Sequence, residues 1–176
     1  MPPPLLRLAT AIDRLNGALG RVSAWAILVM VLIQCAVIVM RLFGTGSLWL
    51  HESLFYFHVA LVLFTGAWTL RQDGHVRVDI FYSSASPRTR AAIDLAGAVL
   101  LLMPFMLAVI WFTWPYALRS WAIFEGSREA GGLPLVYLLK SAIVLFAAQL
   151  LLQGFSQAIR AAHALAGSAP AAESAA

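Results

Sequence analysis

Apolar residues fall along this chain in four long runs separated by short polar breaks. Val22–Met40 holds Gln34 as its only strongly polar side chain, and Ser53–Leu70 is interrupted by His58. Ala91–Trp114 carries one charge, Asp94, near its start; the fourth run lies within Leu135–Ile159, with Lys140 near its beginning. A helix crosses a bilayer core of about 30 Å in about 20 mostly apolar residues, so each run predicts a transmembrane helix. Open strands would leave backbone groups unpaired in lipid, and the runs are too continuous for the alternation of a membrane barrel.

Ahead of these runs, Leu5, Leu8, Ile12, Leu15 and Leu19 recur at three- and four-residue steps, with Arg7, Asp13 and Arg14 mainly off that stripe. Residues 1–21 therefore read as an amphipathic helix that either lies on the membrane surface or packs against a partner subunit. They lack the short apolar core and small-residue site of a cleavable signal. After Ala161 the chain turns to Ala, Ser, Gly and Pro, so 161–176 reads as a disordered tail. The fold class is all-α integral membrane: four transmembrane helices within 22–160 and an N-terminal amphipathic surface helix. Ser86-Pro87 looks like a cap and first position of the third helix. Pro104 falls mid-span, where the missing N–H predicts a kink.

Composition agrees with this pattern. Of 176 residues 61% are hydrophobic and 11% charged, too apolar for a soluble domain of this size. The net charge of +4 does not indicate nucleic acid, because the basic residues sit at the ends of apolar runs rather than on one face. With the N-terminus in the cytoplasm, that side holds Arg7, Arg14, Arg21, Arg71, Arg77, Arg88, Arg90 and Arg160. Arg41, Arg119, Arg128 and Lys140 fall on the other, eight against four, which predicts cytoplasmic termini. Trp49, Trp111, Trp114, Tyr116 and Trp121 gather toward that outer face as an interfacial belt would.

Candidate chemistry is sparse. The single cysteine, Cys35, excludes an intrachain disulfide and a thiolate metal site. His51-Glu52 opens like a zinc-protease helix, but Phe55 occupies the position of the second ligand. Only His58 is deep enough to hold a haem within the bundle, and a pair is needed. No catalytic residue, metal or cofactor is expected. The deep polar residues are Gln34, His58, Thr65, Thr113 and Gln149, with no deep carboxylate and no broken helix of the kind that forms ion sites. His58 reads as a hydrogen-bonded packing residue. Two constellations remain: Arg41 with Trp49 and Glu52, where Arg41 and Glu52 can pair across a short turn, and Gly74-His75-Val76-Arg77-Val78-Asp79, whose alternation is too regular for a plain loop.

At these motifs the sequence resembles the small membrane subunit (DctQ-like) of tripartite ATP-independent periplasmic (TRAP) transporters. The likeness rests on Arg41 ending the first helix, Trp49 and Glu52 opening the second, Gly66 near its end, the Gly74–Asp79 string and the start at Pro87. It covers roughly Val22–Ile159 and departs at His51, where the family often has a second acid. The resemblance implies a scaffold in the bacterial inner membrane, bracing a large membrane subunit that carries the sodium and substrate sites. It also implies a periplasmic binding protein that delivers a carboxylate-type solute. Arg41, Trp49, Glu52, Gly74, His75, Arg77 and Asp79 are then candidate structural or partner contacts. Arg119, Glu125, Arg128 and Glu129, on the longest outer loop, are candidates for docking the binding protein. The competing reading is a self-sufficient four-helix channel or homo-oligomeric carrier.

Overall fold

A computed structural model describes residues 3–75, Tyr82 and 84–167. Among the described residues six α-helices are delimited, in order: α1 (Pro3–Ala24), α2 (Ala26–Leu42), α3 (Leu48–Arg71), α4 (Pro87–Ala96), α5 (Met103–Ala122) and α6 (Val136–Gly167). A π-helical segment, Gly97–Leu102, joins α4 to α5, so Pro87–Ala122 is one rod. Among the described residues four stretches are long and apolar enough to cross a membrane: Pro4–Leu42, Leu48–Arg71, Pro87–Ala122 and Val136–Gly167.

The interior is built from small side chains. Ala67, Met106, Ala147 and Leu150 form the buried cluster, with Leu102, Val109 and Phe146 packed around it. Large apolar residues point outward instead: Leu32, Leu100 and Trp111 are all exposed. This is the arrangement expected in lipid, where burying leucine against leucine gains little and close backbone approach supplies the contact. α6 packs against α1, α3, α4 and α5, and buries more residues than any other described helix.

Local chemistry sets the ends. Ser86 caps α4 by accepting from the Thr89 amide at 3.2 Å, with Pro87 first in the helix, as the sequence predicts. The disturbance expected at Pro104 takes the form of the π-helical segment just before it. Pro104 has no N–H to offer the preceding turn, and the wider winding accommodates that loss. Pro115 lies inside α5, which continues to Ala122 rather than ending at Trp114. α6 passes Ala161, itself buried, and runs to Gly167; alanine is the best helix former, so this composition continues a helix readily.

The helix α1 turns its face the other way from a simple amphipathic reading. Of the apolar stripe only Ile12 is buried, while Leu8, Leu15 and Leu19 are exposed. The face that meets α3 and α6 is small and polar: Ala9, Asp13, Asn16, Gly17 and Gly20. At Gly20 an added Cβ would stand 2.6 Å from the Trp68 Cβ, so glycine is what lets α1 lie against α3.

Candidate functional site

Polar side chains gather at two ends of the bundle. At the first, Ser47 caps α3 by accepting from the Leu50 amide, and Glu52 follows one turn later. Its carboxylate reaches the α5–α6 loop. Oε1 accepts from the Ser127 hydroxyl at 2.5 Å, and Oε2 accepts from the Leu133 amide at 2.6 Å. Ser127 N–H donates in turn to the Leu133 carbonyl at 2.9 Å, closing the loop on itself. Gly132 is required at this crossing: a Cβ there would come within 2.5 Å of Ser127 and 2.8 Å of Glu52 Oε1.

This corrects the expected Arg41–Glu52 pair. Both carboxylate oxygens of Glu52 are taken by the loop, whose amide needs an acceptor once it leaves water. Arg41 is exposed and joins no ion pair among the described residues, and Trp49 is also exposed.

The second part of this end begins where α5 stops. Phe124 adopts φ 45°, a left-handed conformation that leaves the Glu125 amide donating back to the Ser120 carbonyl at 3.0 Å. That reversal is a common helix ending, here built on a residue type that adopts it at a cost. It aims Glu125 at Lys140, 2.5 Å away, and the Lys140 ammonium also lies 4.0 Å from the Tyr116 ring centroid. The Lys140 hydrogen bond holds the Glu125 carboxyl below its ordinary range. Trp121 donates to the Ser141 hydroxyl at 2.7 Å, and its ring packs against Tyr137 with centroids 4.5 Å apart and planes tilted by 60°. The end of α5 is thus stitched to the start of α6. Arg119, Arg128 and Glu129 remain exposed around it, so of the four loop candidates Glu125 is spent on the fold.

At the opposite end the chain holds a cluster that the sequence reading missed. Asp13, 6% exposed, accepts from Gln153 Nε2 at 3.0 Å, Ser156 Oγ at 2.7 Å and Arg160 at 2.5 Å. Asn16 donates to Gln153 at 2.7 Å, and Arg71 donates to the Asp13 carbonyl at 3.3 Å. α1, α3 and α6 meet here. The signal was visible: Gln149, Gln153, Ser156 and Arg160 repeat at helical spacing along the last apolar run, so that run had a polar face needing a partner.

The Gly74–Asp79 string is described only at its start. Asp73 takes φ 53° and Gly74 N–H donates to the Thr69 carbonyl at 3.0 Å, ending α3; His75 is exposed. Arg77 and Asp79 lie outside the described residues. His58 is corrected: it is exposed, and no hydrogen bond holds it among the described residues. Cys35 is exposed on α2. Among the described residues, no three His, Cys, Asp or Glu side chains come together as a metal site would require.

The arrangement can hold helices together and present a shaped loop. Comparison with curated proteins gives no match. The family model for tripartite ATP-independent periplasmic transporters, DctQ component, matches residues 9–164, from the first buried residue of α1 to the last turns of α6. The chain therefore belongs to the DctQ component family, the small membrane component of these transporters.

Proposed function

We propose that this chain is the bracing subunit of a sodium-coupled, binding-protein-dependent importer of a carboxylate-type solute in the bacterial inner membrane. Its partners are a large membrane subunit, which carries the substrate and sodium sites, and a periplasmic binding protein. The observation that carries this reading is the family match over 9–164 in a bundle where five of the six buried polar side chains among the described residues, all but Ser120, bond across helix contacts. Gln149, Gln153, Ser156 and Asp13 all bond across helix contacts. A chain that moved polar solutes through itself would keep such groups free along a pathway.

Both termini face the cytoplasm, by the balance of basic residues. The α5–α6 loop then faces the periplasm. Arg119, in the last turn of α5, and Arg128 and Glu129, on the loop whose shape Glu52 and Glu125 fix, meet the docked binding protein there. Gly74, His75, Arg77 and Asp79 organise the cytoplasmic loop.

Co-purification tests the assignment. The tagged chain should carry a large multi-span membrane protein with it in mild detergent. Recovery of this chain alone from its native membrane contradicts the reading. Reversing the charges of Arg119, Arg128 and Glu129 together should weaken binding-protein docking about tenfold or more while the two membrane subunits stay together. Unchanged docking would remove the loop from that role.

A further inference from the structure

The five deep polar residues of the spans divide into two kinds. Thr65 donates to the Leu61 carbonyl and Thr113 to the Val109 carbonyl, each at 2.6 Å within its own helix. Gln149 donates to the Phe64 carbonyl at 3.0 Å across the α3–α6 contact. Gln34 and His58 are of the other kind. Both are exposed, and neither has a hydrogen-bond partner among the described residues.

Their depth makes this costly. At 1.5 Å of rise per residue, Gln34 lies about 12 Å from the end of α2 and His58 about 15 Å from the start of α3. Both positions are near the middle of a core about 30 Å thick. There the hydrocarbon offers nothing to an amide or an imidazole, and snorkelling to the interface is beyond their reach.

His58 also sits on a defined stripe. Between Leu50 and Leu70, α3 exposes only His51, Phe55, His58 and Val62. These fall at steps of four, three and four, which is one face of a helix. Every other face of α3 is packed by α1, α2 or α6. The stripe runs toward Trp49 and Arg41, whose side chains are also uncovered.

We infer that the α2–α3 face bearing Gln34 and His58 seats a helix of the large membrane subunit, which offers hydrogen-bonding groups to both residues near the bilayer centre. This rests on the bracing role proposed above. It differs from the broad apolar surface of α5, where the exposed Leu107 and Phe112 carry no side-chain group that needs a hydrogen bond.

The test uses the complex co-expressed in membranes. A photo-crosslinker is placed as Phe55→p-benzoylphenylalanine and Val62→p-benzoylphenylalanine, with Phe112→p-benzoylphenylalanine on α5 for contrast. Adducts to the large subunit from the two α3 sites are expected. Adducts to a second copy of this chain, or to lipid only, overturn the inference. If the Phe112 site alone captures the large subunit, the bracing role survives and this face does not. If no large subunit co-purifies, the bracing role itself falls.

In parallel, Gln34→Leu with His58→Leu should lower the fraction of large subunit retained in detergent about tenfold, and His58→Gln should restore most of it. The chain purified alone should keep its melting temperature in both variants. Equal destabilisation of the isolated chain would mean that the two residues serve its own fold, which contradicts the inference.

Discussion

The two ends of the bundle use carboxylates in opposite ways. Asp13 is sealed between helices, and its donors come from α6. Glu52 and Glu125 are only partly buried, and they fasten a loop: Glu52 grips its backbone, and Glu125 anchors its start to Lys140. A sealed carboxylate with several donors fixes where whole helices lie, whereas a carboxylate at the surface fixes the outline of one exposed loop. Substitutions at the first end should therefore unseat the bundle. Those at the second should loosen one loop.

The largest effect is expected at Asp13. Asp13→Ala leaves the Gln153, Ser156 and Arg160 donors without their acceptor and should cost about 3 kcal/mol. The half-exposed Arg160 side chain can turn to water, which keeps the cost from rising further. Thermal unfolding in detergent or nanodiscs reads this out; a loss no greater than that of Glu52→Ala would erase the contrast. Gly20→Leu comes next. Its side chain meets Trp68 at the α1–α3 contact and should destabilise by about 2 kcal/mol as overpacking does. A wild-type melting temperature would mean that α1 is not held against α3.

At the loop end the effects are smaller and local. Glu52→Gln keeps one acceptor but loses the charge, so the clasp on the loop weakens while the helices stay in place. Amide exchange at Leu133 should quicken several-fold while that of α6 stays unchanged. Uniform quickening across the chain would make Glu52 a global rather than a local clasp.

The mildest effect is a pH dependence. Glu125 is held below its ordinary range by Lys140, whereas in an opened loop it regains the ordinary value. Its contribution is therefore complete above the ordinary carboxylate range and is lost as pH falls through the lowered folded value. Protease cutting of the α5–α6 loop should rise over that acid window. In Lys140→Met the rise should begin at higher pH, and an unchanged profile would detach the loop from this pair.

The spans were legible because apolar length is a strong one-dimensional signal: the helix at Pro87 and the four crossings follow from Ser86, Pro87 and unbroken runs of leucine, valine and alanine. What needed three dimensions was the choice of partner. Glu52 lies close to Arg41 in sequence, yet it bonds to Ser127 and Leu133, which no local rule connects to it. The same holds for Asp13, whose donors are more than a hundred residues away. The stripe of α1 misled because apolar residues in a membrane chain face lipid as readily as they face a core, so the buried side is recognised by small and polar residues. For the family itself the short motifs sufficed, since their order among four spans is a property of the sequence alone.

Reconstituted uptake tests the central claim most directly. Liposomes holding this chain alone, the large subunit alone, or both are given the binding protein, labelled solute and an inward sodium gradient. Saturable uptake only with both membrane subunits is the predicted result. Saturable uptake by this chain alone would contradict the account.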